Sequence, residues 1–231
     1  MKVLVIDVGG THVKILATGH KNKIEFLSGP GMNAKKMVAT VKAMAKKAGW
    51  EYEVISMGYP GPVLHDRPIA EPWNLGPGWV KMNYKKAFGC PVRIINDAAM
   101  QAIGSYRGGR MLFLGLGTGL GSALIVDSVV EPLELAHLPY KKGKTFEDFV
   151  GLRGLRRLGK KKWRKHVADI VKQLMMATQA EYVVLGGGNA RLLKKLPPNV
   201  RLGENSNAFK GGFRVWNSTS KTIKQTGRMF Y

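Results

Sequence analysis

Twice in this chain an apolar run breaks into closely spaced glycines with a threonine among them, then resumes as a second apolar run. Val3-Leu4-Val5-Ile6 leads into Asp7-Val8-Gly9-Gly10-Thr11-His12-Val13-Lys14, and a later strand leads into Leu116-Gly117-Thr118-Gly119-Leu120-Gly121-Ser122. The repeat predicts two strand–turn–strand units about half a chain apart, and hence an α/β fold built from two similar halves. Glycines let a turn adopt positive φ and bring bare N–H groups close to an anion. Thr11 and Thr118 add hydroxyls and Lys14 a cation. Asp7 would repel phosphate unless a cation lay between them, which implies Mg²⁺ held by carboxylate, water and phosphate oxygens. Read singly, such a turn is more often an ordinary hairpin than a phosphate loop.

The 231 residues suffice for one large domain or two lobes, and 45% hydrophobic content is ordinary for a globular protein. No window holds the roughly 18 to 20 apolar residues of a membrane span, and Lys2 with a four-residue apolar run is no signal peptide, so a cytoplasmic location is expected. The single cysteine, Cys90, excludes an internal disulfide and a multi-cysteine zinc cage. The 37 Lys and Arg against 15 Asp and Glu give a net charge of +22. A polyanionic partner and a general basic bias explain that sum equally. Its distribution says more: eleven Lys and Arg lie between Lys141 and Lys165, against only Glu147 and Asp148.

Periodicity predicts strands over Lys2 to Asp7, Val13 to Thr18 and Ile24 to Leu27, then a helix from an Asn33 cap to Gly49. Val54 to Gly58 reads as a buried strand, residues 66 to 79 as an irregular loop, and Pro91 to Ile95 as a strand followed by a helix to Gly104. Further strands are expected over Arg110 to Leu116, Ser122 to Val126 and Tyr182 to Leu185, with helices over 146 to 158, 162 to 179 and Ala190 to Leu196. The expected division is an N-terminal lobe over 1–108, a C-terminal lobe over 109–216, and a basic, loosely ordered tail over 217–231.

Asn96-Asp97 stands where a buried strand gives way to a helix, a crevice in which open α/β sheets bind ligands. Position alone leaves Asp97 equally suited to cap the helix or to take a proton from an attacking hydroxyl. Glu134 and His137 read as a surface pair or, with Asn96 and Glu147, as a polar pocket able to bond several vicinal hydroxyls of a pyranose. No further Cys or His lies near His137 to complete a metal site.

The ordered set Asp7-x-Gly9-Gly10-Thr11-x-x-Lys14, Pro60-Gly61, Asn96-Asp97, Leu116 to Gly121, Glu134-Leu135-Ala136-His137 and Leu185-Gly186-Gly187-Gly188 resembles the ROK sugar kinases. The stretches Lys142 to Gly151 and Arg156 to Trp163 are most similar to the polyphosphate glucokinase branch of that family. The resemblance implies an actin-like, ribonuclease H-like two-lobed fold with a cleft between the lobes. It also implies glucose as acceptor, Mg²⁺, polyphosphate or ATP as donor, and a homodimer. Carried over by position, Asp97 would be the general base, with Asn96, Glu134, His137 and Glu147 on the sugar. Asp7, Gly9, Gly10, Thr11 and Lys14 would form the first phosphate loop, with Asp7 toward the metal, and Gly117, Thr118 and Gly119 the second. Gly186, Gly187 and Gly188 would lie against a nucleotide's adenosine, and Arg153, Arg157, Lys160, Lys161 and Lys162 would form a polyphosphate track.

The chain departs from the family pattern in three places. Ala136 replaces a glycine in E-L-G-H, the cysteine-rich zinc motif is absent, and the sequence after Gly188 is short. An ATP-specific hexose kinase and a non-catalytic polyanion binder are the alternatives. A sugar-responsive DNA-binding regulator is not expected, because the first strand begins at Lys2 with no helix-turn-helix before it.

Overall fold

The computed structural model describes residues 1–204 and 206–216, together with the backbone of Lys224–Gln225. The first half opens with β1 (Val3–Val8), β2 (His12–Ala17) and β3 (Ile24–Leu27), then α1 (Ala34–Lys47) and β4 (Val54–Tyr59). A small hairpin, β5 (Val63–Leu64) with β6 (Arg67–Pro68), precedes α2 (Tyr84–Phe88), β7 (Val92–Asn96) and α3 (Asp97–Ser105). Sheet order is β3-β2-β1-β4-β7, with β1 antiparallel to β2 and parallel to β4.

The second half repeats the plan. Strands β8 (Arg110–Leu116), β9 (Leu120–Val126) and β10 (Val129–Leu133) form a meander, followed by α4 (Phe146–Val150), α5 (Leu152–Thr178), β11 (Tyr182–Gly186) and β12 (Val200–Leu202). After α6 (Asn207–Arg214), the short β13 (Lys224–Gln225) lies parallel to β10. The sheet order β12-β11-β8-β9-β10 mirrors that of the first sheet, with β8 antiparallel to β9 and parallel to β11. The expected pair of similar halves is therefore present, each entered through a glycine-turned hairpin.

Helices α3 and α6 lie between the two sheets. Their apolar residues Ala98, Ala99, Met100, Ala102, Ile103, Ala208 and Phe209 share one core with Val3 and Val5 of β1 and with Met111, Phe113, Ala123 and Ile125 of the second sheet. The helix backbones touch: a Cβ on Gly104 would collide with the Asn207 carbonyl, and one on Gly211 with the Met100 carbonyl. Arg214 caps the end of α3 by donating to the carbonyls of Ile103 at 2.8 Å, Gly104 at 3.4 Å and Tyr106 at 3.3 Å. Separate cores back the outer faces, one around Trp79, Met37 and Tyr59, the other around Trp163, Leu112 and Leu174.

Several local expectations change. Residues 66 to 79 are not wholly irregular, since Arg67–Pro68 pairs with Val63–Leu64. The helix expected over Ala190 to Leu196 shrinks to a 3₁₀ turn at Ala190–Leu192, because the backbone extends at Leu193 to feed Pro197, Pro198 and β12. The helices expected over 146–158 and 162–179 run instead as α4 and one merged α5, with Gly159 at φ 70° marking a kink. Apart from the two residues of β13, the tail over 217–231 lies outside the described residues.

Candidate active site

Asn96 and Asp97 divide the two roles the sequence left open. Asn96 is the N-cap of α3: its Oδ1 accepts from the Ala99 N–H at 3.1 Å, while its Nδ2 donates to the Gly61 carbonyl at 3.1 Å. With the cap filled by Asn96, the Asp97 Oδ1 accepts from the Ala98 N–H at 2.8 Å. The helix can sit this close because Gly121 and Gly58 carry no side chains; a Cβ on Gly121 would lie 2.9 Å from that of Ala98. Burial first, and then the Asp7 carboxylate, push Asp97 from the ordinary carboxylate range up to about 7, with Glu134 adding in the same direction.

Asp7, one residue before the end of β1, lies opposite Lys14 in the β1–β2 register, and the Lys14 ammonium stands 3.7 Å from its carboxylate. Only 13% of the Asp7 side chain is exposed, and burial raises its pKa against the lowering effect of Lys14. The turn beyond it is braced by the Gly9 N–H donating to His12 O at 3.0 Å, the Ser28 hydroxyl to Gly9 O at 2.6 Å, and the Ser28 N–H to Thr11 O at 2.9 Å. A Cβ on Gly10 would come within 3.2 Å of Asn74.

The second turn is held from two sides. Gly117 N–H bonds Gly119 O at 3.1 Å, and Asn189 Nδ2 donates to Gly117 O at 2.9 Å. Gly187, at φ 80°, packs on Leu116 so closely that a Cβ would lie 2.5 Å from its carbonyl oxygen, and Gly186 ends β11 just before it. On the other side Glu147 Oε2 accepts from the Leu120 N–H at 3.1 Å, and Thr118 O accepts from the Leu152 N–H at 3.1 Å, where α5 begins.

Glu147 therefore lies against the second glycine turn, and Gly119 has no room for a Cβ beside its carboxylate. Glu134 and His137 are exposed and paired with each other at 3.7 Å. Arg153 approaches Glu147 at 3.6 Å and Asp148 at 3.7 Å, and Arg157 donates to Asp148 O at 2.8 Å. Lys160, Lys161 and Lys162 are exposed on the same helix, so the basic run starts at the second turn and leads away from it. Sequence reasoning passed over Ser28, Asn74 and Asn189, of which only Asn189, directly after three glycines, carried a visible signal.

No group of three or more His, Cys, Asp or Glu is arranged for a metal among the described residues. Mg²⁺ does not need such a cage, because it takes one or two carboxylates and fills its shell with water and phosphate oxygens. Asp7, withdrawn from solvent and only partly compensated by Lys14, fits that mode. None of the helices among the described residues is long and apolar enough to cross a membrane.

Two sheets of one topology, each turning a glycine loop beside a withdrawn acid, define a two-lobed α/β protein with a cleft between its lobes, suited to holding an anion from both sides. Residues 3–131 match the model of the ROK family, and the chain belongs to that family. It is 27% identical over 218 residues to polyphosphate glucokinases of Mycobacterium tuberculosis strains H37Rv and CDC 1551, a match that spans 84% of this chain and 80% of theirs. Among solved structures it resembles the inorganic polyphosphate/ATP-glucomannokinase of Arthrobacter sp. strain KM, with a TM-score of 0.77 at 20% identity over 91% of this chain and 96% of that one. It likewise resembles a ROK family glucokinase from Streptomyces griseus in complex with glucose and AMPPNP, with a TM-score of 0.69 at 17% identity over 91% and 97%.

Proposed function

We propose that this protein is a glucokinase that transfers a phosphoryl group from inorganic polyphosphate, and also from ATP, to the 6-hydroxyl of glucose. The observation that carries the reading is Asp97, relieved of capping by Asn96, poised near neutrality and set beside Asp7 at the end of the first phosphate turn. Asp97 accepts the proton of the 6-hydroxyl as its oxygen attacks phosphorus. Asn96, Glu134 and His137 hold the remaining hydroxyls, and Glu147 joins them from the second turn. The N–H groups of Gly10 and Thr11 face the donor from one lobe and those of Thr118 and Gly119 from the other, while the Gly9 and Gly117 N–H groups close the two turns and Lys14 offsets charge. Asp7 would hold Mg²⁺, which when bound neutralises charge on the transferring phosphoryl.

The named activity of the Mycobacterium tuberculosis relatives supports polyphosphate as donor. So does the placement of Arg153, Arg157, Lys160, Lys161 and Lys162 on a helix that starts at the second turn, where a long anion can gather many weak contacts. ATP as sole donor is a second reading, favoured by the Gly186 to Gly188 segment, whose Gly187 packs on the same turn and could receive an adenosine. A cytoplasmic location and a homodimer belong to this proposal.

The test is Asp97→Asn. Turnover should fall about 10²- to 10⁴-fold, the span of a lost general base, while glucose still binds in calorimetry; turnover near wild type would rule out the base assignment.

A further inference from the structure

Residues 136–147 fold back on themselves as a hairpin outside the two main sheets. The Glu147 N–H donates to Ala136 O at 3.0 Å, Phe146 N–H to Leu138 O at 3.0 Å, and Tyr140 N–H to Lys144 O at 2.8 Å. Lys142 and Gly143, at φ 54° and 66°, turn the tip. One leg of this hairpin begins in Glu134–His137, and the other ends in Glu147, whose carboxylate holds the Leu120 N–H of the second glycine turn.

The tip is fastened to α5 by a compact polar cluster. The Tyr140 hydroxyl donates to Asp169 Oδ2 at 2.5 Å, and the Lys141 ammonium donates to the same oxygen at 2.8 Å and to the Tyr140 oxygen at 3.0 Å. His166 Nδ1 stands 3.0 Å from the Tyr140 oxygen. Since the single hydroxyl proton is committed to Asp169, this nitrogen must be the donor, which assigns the Nδ1–H tautomer to the ring. Asp169 and His166 are three residues apart and so share one face of α5. The rings of Phe149 and His166 pack on Tyr140 at centroid distances of 4.9 and 5.7 Å and fix its orientation.

We propose that Asp169, acting through Tyr140 and Lys141, is a positioning residue for the acceptor: it clamps the hairpin tip to α5 and thereby holds Glu134, His137 and Glu147 in register with the second glycine turn. The proposal rests on the reading that these three residues contact the sugar. The path is continuous in bonds, from Asp169 to the tip, along the hairpin ladder to the Ala136–Glu147 bond, and from Glu147 to Leu120. Asp169 itself touches neither the glycine turns nor Asp97, so its loss should weaken acceptor binding without removing any group that acts on the phosphoryl.

The test uses the full chain with Asp169→Asn and Tyr140→Phe, the latter keeping the ring and removing only the hydroxyl. Amide exchange in peptides spanning 134–147 should quicken about tenfold or more in both, because the ladder opens more often once its tip is free. KM for glucose should rise about fivefold or more while kcat and the donor KM stay within about twofold of wild type. Asp169→Glu, which keeps a carboxylate within reach of both donors, should restore protection and KM. Unchanged exchange in Asp169→Asn and Tyr140→Phe overturns the proposal, and so does a rise in donor KM equal to that for glucose. Exchange reports on the hairpin whatever the substrate is, so a wild-type chain that phosphorylates no sugar overturns the kinase reading alone.

Discussion

Asp97 is a carboxyl group that holds its proton up to about pH 7, yet as a base it works only without it. Turnover should therefore climb with pH through about 7 and level off above it, and a pH–rate profile flat from 5 to 8 would contradict the assignment. The same shift acts on stability with a definite sign. Its folded pKa lies above the ordinary carboxylate value, so the stabilising contribution is fully present in acid below the unfolded value and is lost as pH rises toward 7. At pH 8 the wild-type chain carries a buried charge beside Asp7, and Asp97→Asn should be more stable by on the order of 3 kcal/mol, an advantage that vanishes near pH 4. Urea denaturation at both pH values checks this. An inactive variant more stable than its parent also separates lost chemistry from lost folding. The sequence marked the Asn96-Asp97 pair but could not apportion its roles, because either residue type caps a helix. Only the Asn96 bonds to Ala99 and Gly61 decide.

At the scale of elements, the glycine hairpins were legible because apolar strands and glycine spacing agree locally. Helix α6 was not, since Asn207-Ala208-Phe209-Lys210-Gly211-Gly212-Phe213-Arg214 carries two glycines, which disfavour a helix. Those glycines are there for contact: a Cβ on Gly211 would strike the Met100 carbonyl, and one on Gly212 the Val5 side chain. Packing between the sheets outweighs local propensity here. Gly211→Ala should accordingly destabilise the fold by about 1–3 kcal/mol, the usual cost of overpacking, and unaltered denaturation would show that α6 can shift aside. Strand β10 was hidden by Pro132, which disfavours a strand by local propensity but pairs with Ala123 of β9 one residue before β10 ends. On α5, replacing Lys160, Lys161 and Lys162 by Gln should raise KM for long polyphosphate about tenfold or more and leave KM for ATP nearly unchanged, since a long anion sums many screened contacts. Equal effects on both donors would remove the track.

For the whole molecule, the duplicated sheet order repeats one glycine turn about a hundred residues later in sequence, and helices α3 and α6 join the two halves through one core. Duplication was readable from the recurring glycine motif, whereas the return of α6 to pack on β1 was not, because nothing local in residues 207–214 points to a partner two hundred residues earlier. The bracing of the second turn by Asn189 and Glu147 spans 72 and 27 residues, still beyond the reach of a local pattern. The central claim is that this shared cleft moves phosphoryl groups to glucose. It is tested most directly by following glucose 6-phosphate formation with Mg²⁺, with long-chain polyphosphate and ATP supplied separately at matched phosphoryl concentration. Turnover with polyphosphate above that with ATP is expected, and it would give the basic helix its purpose; no glucose 6-phosphate with either donor would contradict the claim.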